Sequence, residues 1–206
     1  QHIAPFSTPD ELAAIPPLIA EHSLGHAASQ GQGVQALRAC YDPASRRSYG
    51  NTSATGMALA ARRDTLEACG LYDAAIIGGG DSMLMCAALG QLDQEFMRRQ
   101  ANPFERAAIA KWAGEARQAG LFNRFRHVEQ TVYHLWHGDL SNRKYGKRHQ
   151  VTSALGFDPA THLRRAANGA WEWTDPHSAI AQGVRDYFLG RAEDECGSDM
   201  EITVRL

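Results

Sequence analysis

Two short stretches of this chain carry residue types able to do chemistry. The first, His134-Leu135-Trp136-His137-Gly138, sets two imidazoles three positions apart. Imidazole nitrogen is a good ligand for Mn2+ or Zn2+, with carboxylate or phosphate oxygens completing the shell. Residues three apart in a strand face opposite sides, so a bend at Trp136 is needed to turn both rings toward one ion. Spacing alone suits a purely structural pair equally well. What singles it out is the sequel, Arg143, Lys144, Lys147 and Arg148, a run of cations suited to phosphate.

The second stretch is Ile77-Gly78-Gly79-Gly80-Asp81-Ser82. It reads as a glycine turn that delivers one carboxylate, Asp81, to the start of a helix, where the peptide dipoles favour its charged form. Small neighbours leave room for a substrate, and such a carboxylate can act as general base toward a hydroxyl. A glycine turn ahead of a helix also suggests the pyrophosphate cradle of flavin and nicotinamide enzymes. Here the third glycine position of that fingerprint is Met83, and Leu92 to Arg99 does not read as a strand ending in a ribose-binding acid. A dinucleotide-binding oxidoreductase built on Gly78–Gly80 stays open as an alternative. So do a plain tight turn and a non-catalytic anion-binding module.

The elements that must position these residues are partly written in the punctuation of the chain. Thr8-Pro9-Asp10-Glu11 is a helix start, interrupted at Pro16-Pro17. Residues 22–53 lack periodicity and read as irregular, and Arg46 to Asn51 forms a polar, basic segment. Met57 to Ala61 reads as a buried strand, followed by a short helix, Asp64 to Cys69, that stops at Gly70. Ser82 to Leu89 is an apolar helix ending at Gly90. A longer helix, Pro103 to Gln118, has proline at its start and Gly120 just past its end. Glu129 to Trp136 alternates as a strand. Helices are expected around 159–167 and 177–192, with Trp171-Glu172-Trp173 between them.

Composition bounds the answer. With 206 residues, 44% apolar and 21% charged, the chain suits one soluble globular domain with mixed α and β elements. A formal charge of -2 argues against a generic nucleic-acid surface. No apolar run reaches the about 18 residues that span a bilayer. The start, Gln1 to Phe6, lacks the features of a signal peptide and suggests a fragment or processed product. Four scattered cysteines, Cys40, Cys69, Cys86 and Cys196, suit reduced thiols and a cytoplasmic location.

Taken together, Gly56 to Arg63, Gly70-Leu71-Tyr72-Asp73, Ile77 to Asp81 and His134 to Gly138 resemble the C-terminal half of GT-A glycosyltransferases. The likeness is to family-2-like enzymes and the galactosyltransferase C-terminal region, and it covers about residues 56–150. The resemblance implies a helix-rich α/β fold (mixed α+β) in one domain: a lead-in over 1–55, a glycosyltransferase core over 56–150 and a helical tail over 151–206. It implies transfer of a sugar, with inversion, from a nucleotide-diphosphate donor to a carbohydrate or other hydroxyl acceptor. Asp81 would be the acceptor-activating base. His137, with His134 as a weaker second ligand, would hold a divalent metal, Mn2+ or Mg2+. Gly79, Gly80, Trp136, Arg143 and Tyr145 would line the substrates. No Asp-x-Asp, the usual metal and nucleotide half of such a site, occurs in the chain. The resemblance therefore implies a C-terminal piece that supplies half of an active site.

Overall fold

A computed structural model describes residues 22–41, 58–123, 126–130, 132, 144 and 147–191. Among these, short helices dominate: α1 (Leu24–Ser29), α2 (Gly33–Tyr41), α3 (Arg63–Cys69), α4 (Gly80–Ala88), α5 (Leu92–Arg99) and α6 (Pro103–Gln118). After them come α7 (Gln150–Ser153), α8 (Pro159–His162), a two-stranded sheet and α9 (Ala179–Leu189). The sheet is an antiparallel hairpin, β1 (Leu163–Arg165) on β2 (Trp171–Trp173), with Leu163 opposite Trp173 and Arg165 opposite Trp171. The fold is thus mixed and rich in helix.

α4 is apolar on most of its surface because it is packed from two sides, as an all-round apolar helix must be. Met83 and Ala87 meet Ile109, Trp112, Ala113 and Ala116 of α6 in one buried cluster. Met85 and Cys86 face the other way, onto Leu24 of α1 and Leu37 of α2. The extended segment that leads into α4 is buried from a third direction. Ala74 packs with Phe157, Leu163 and Ile180, and Ile77 with Val184 and Tyr187 of α9. The glycine turn at residues 78–80 therefore stands where the helical core meets the hairpin and α9.

α6 starts and stops where its sequence says. Asn102 caps it, accepting from the backbone N–H of Phe104 and Glu105, while the Glu105 carboxylate accepts from the Asn102 N–H. This reciprocal box satisfies donors that the helix itself cannot. The Asn102 amide also donates to the Phe157 carbonyl at 2.9 Å, tying α6 to the segment before α8. Loss of a side-chain cap costs roughly 0.5–2 kcal/mol, and loss of a further hydrogen bond about 1 kcal/mol. Asn102→Ala is expected to lower stability by about 2 kcal/mol in urea unfolding, with an unchanged m-value.

Three expectations are corrected. Ala58 to Ala61, expected as part of a buried strand, are exposed and irregular, since an Ala-rich run brings no β-branched or aromatic side chain to a sheet. The helix expected around 159–167 ends after one turn at His162, because Leu163–Arg165 pairs with Trp171–Trp173. The strand expected over Glu129 to Trp136 is absent at residues 129, 130 and 132, and its remainder lies outside the described residues. Cys40 and Cys69 are partly buried and Cys86 is buried. No helix among the described residues is long and apolar enough to cross a membrane.

Candidate functional site

Gly78 and Gly79 have φ of 91° and 83°, left-handed values that a side chain disfavours. Gly79 also has no room for one. A Cβ there would lie 2.7 Å from Arg99 Nη2 and 3.0 Å from Arg98 Nη2. The turn is drawn this tightly because a buried arginine closes on it. Arg99 Nη2 donates to the carbonyls of both Gly78 and Gly79, each at 2.9 Å.

The clamp is itself fixed. Arg99 Nε donates to Glu95 Oε1 at 2.5 Å, one helical turn back along α5. Arg98 takes the same carboxylate in a fork, Nη2 to Oε1 at 2.6 Å and Nε to Oε2 at 3.0 Å. Glu95 is fully buried. Burial alone would raise its carboxyl, but the hydrogen bonds and charges of Arg98 and Arg99 outweigh that and hold it below the ordinary glutamate value. A buried ion pair of this kind is a weak source of net stability, since desolvation offsets the attraction. What it does here is set the position of a turn.

The last ligand of Arg99 comes from far along the chain. Its Nη1 lies 3.2 Å from Nδ1 of His149, which is buried in the turn ahead of α7. Burial first, then the charges of Arg99, Arg98 and Arg148, push the His149 imidazole down to about 2, so it is neutral at any ordinary pH. Arg148 approaches from the same side. Its Nε is 3.3 Å from His149 Nε2, and its guanidinium lies against Gly78. Below this layer Thr152 donates to Glu105 at 3.0 Å. Burial shifts Glu105 upward, against the hydrogen bonds from Asn102 and Thr152 and the charge of Arg99.

Asp81 stands in the first turn of α4, partly exposed, with the Ser82 hydroxyl 3.4 Å from Oδ1. Ser82 Oγ in turn lies 3.5 Å from Arg98 Nη2. The carboxylate therefore follows directly on a clamped turn, linked through the Ser82 hydroxyl to the partly buried Arg98 guanidinium. Three of the residues singled out from the sequence, Gly79, Gly80 and Asp81, are brought together in this way. His134, Trp136, His137, Arg143 and Tyr145 lie outside the described residues. Among the described residues no group of three or more histidine, cysteine or acidic side chains is arranged to hold a metal ion.

Glu95, Arg99 and His149 were not foreseen as parts of the site. The spacing of Glu95 and Arg99, four apart in a helix, was the one legible signal. Their partners Gly78 and His149 are 21 and 50 positions from Arg99, beyond any local pattern. No known protein family matches the chain, and neither a curated protein nor a solved structure shows significant similarity to it.

Proposed function

We propose that this chain carries the acceptor side of a glycosyltransferase site, with Asp81 as the general base. The observation that supports the reading is the investment around Asp81. A buried Glu95–Arg99 pair and two left-handed glycines hold the turn that leads into the partly exposed Asp81. A buried ion pair is a weak source of net stability, and a general base must be held within hydrogen-bond reach, about 2.6–3.2 Å, of the hydroxyl it deprotonates.

In the proposed step Asp81 takes the proton from an acceptor hydroxyl as its oxygen bonds to the anomeric carbon of the donor. The bond from that carbon to the diphosphate oxygen breaks, and the diphosphate leaves with the electron pair. Attack opposite the leaving group, with no enzyme nucleophile needed, inverts the anomeric carbon. A divalent metal, Mn2+ or Mg2+, would neutralise charge on the leaving diphosphate, and His137 with His134 would hold it. Trp136, Arg143 and Tyr145 would line the donor. These roles rest on the resemblance of the sequence.

Removing a general base lowers turnover by about 10²- to 10⁴-fold. Asp81→Asn, made in the protein expressed from its natural reading frame, is expected to fall in kcat by that factor. KM for the donor should change little. Near-normal turnover in that variant would remove Asp81 from the mechanism.

A further inference from the structure

Glu105 is a buried carboxyl that the proposed transfer step does not use. It is 7% exposed, yet its partners are unlike those of Glu95. Glu95 meets two guanidiniums. Glu105 meets the backbone N–H of Asn102, 3.1 Å from Oε2, and the Thr152 hydroxyl, 3.0 Å from Oε1. Neither is charged. Thr152 is 2% exposed, and its Oγ1 also lies 3.1 Å from the His149 carbonyl. One hydroxyl hydrogen must therefore serve two oxygens. With Glu105 ionised, that hydrogen goes to the carboxylate, and the carbonyl faces Thr152 with no hydrogen between them. With Glu105 protonated, Oε1–H donates to Thr152 and Thr152 donates to the carbonyl, so both contacts are hydrogen bonds. Oε2 accepts from Asn102 in either form, which keeps the cap of α6. The neutral carboxyl is the better match to these partners.

The groups around Glu105 do not reverse this. Burial raises its carboxyl above the ordinary glutamate value, against the hydrogen bonds from Asn102 and Thr152 and the charge of Arg99 on α5. Tyr72, in the segment before α4, has its phenol pushed up to about 12, by burial first, and brings no charge at ordinary pH. His149, ahead of α7, is neutral. Arg106, next on the same helix, donates to the Ala101 carbonyl. Position gives the proton a consequence. The Glu105–Thr152 contact joins α6 to α7, and His149 is the residue that meets Arg99 behind the glycine turn.

We propose that Glu105 is a proton-operated latch, which when neutral holds α7, and with it His149, against α6 and when ionised slackens that hold. The latch belongs to the fold and does not rest on the sugar-transfer reading. A carboxyl held above its unfolded value contributes stability that is complete below about 4.3 and is lost as pH rises through the folded value. Glu95 has the opposite sign.

The test compares the unaltered protein with Glu105→Gln from pH 4 to pH 9. Glutamine can accept from Asn102 and donate to Thr152, as the neutral carboxyl does, but has no proton to lose. The 13Cδ resonance of Glu105 follows its titration in the unaltered protein, with no variant needed. Amide exchange at Ser153 and Ala154 follows α7, because their N–H groups bond the His149 and Gln150 carbonyls. The resonance should titrate above the ordinary value of about 4.3. As pH rises through that titration, exchange at Ser153 and Ala154 should quicken relative to Glu105→Gln at the same pH, by up to about tenfold per pH unit for one proton. A resonance that titrates at or below about 4.3, or an exchange ratio that stays flat through the titration, would overturn the latch.

Discussion

Glu95→Gln is expected to destabilise the protein by about 3–5 kcal/mol, the usual cost of stranding a buried charge. Gln keeps the size of the side chain but not its charge. Arg99, 5% exposed, would then hold its cation in the core against two carbonyls, a neutral imidazole and an amide, without its carboxylate partner. Arg98, 11% exposed at its side chain, would keep at most one arm of its fork and face an amide N–H in place of the other oxygen. The effect has a pH signature. Glu95 is held below its ordinary value, so its contribution is complete above the unfolded carboxyl pKa of about 4.3 and is lost as pH falls through the folded value. The unaltered protein should thus converge on Glu95→Gln in acid. Urea unfolding of both at pH 7 and again near pH 3 measures this directly. Equal stability at pH 7 would mean that the pair does not hold the turn.

His149 gives the second large effect, in a different pH window. Its folded value is about 2, against about 6.5 in an unfolded chain. The unfolded state therefore binds the proton first, and stability falls as pH drops below about 6.5. At about 1.4 kcal/mol per pH unit, moving from pH 7 to pH 5 should remove about 2 kcal/mol through this residue alone. The interval lies above the range in which Glu95 titrates, so the two contributions separate. The chain has nine histidines, and comparison with His149→Gln isolates this one. The variant should lose about 2 kcal/mol less than the unaltered protein over that interval. An identical loss in both would show that the imidazole is not buried against the arginines.

The fold was legible wherever local chemistry decides. Asn102, Pro103 and Gly120 mark both ends of α6, and the glycines before Asp81 mark the start of α4. Legibility failed where pairing is remote. Asp158 and Pro159 do start a helix, but nothing local says that Leu163 leaves it to lie opposite Trp173. The site divides in the same way. Asp81 and its glycines could be picked out because consecutive glycines followed by an acid are local signals of a turn into a helix start. The clamp could not, because Arg99 reads as an ordinary surface charge until Gly78, Gly79 and His149 are folded around it. Charged residues on a short amphipathic helix are solvated more often than buried. Only the three-dimensional contacts reveal which face of α5 turns inward.

The central claim is that the clamped turn serves sugar transfer, and its most direct test is donor turnover by the protein expressed from its natural reading frame. Nucleoside diphosphate release is measured from a panel of nucleotide-diphosphate sugars, with hydroxyl acceptors and Mn2+. The account predicts acceptor-dependent release from at least one donor, abolished by chelation and reduced about 10²-fold or more by Asp81→Asn. Absence of release across the panel, or release indifferent to Asp81, would contradict it.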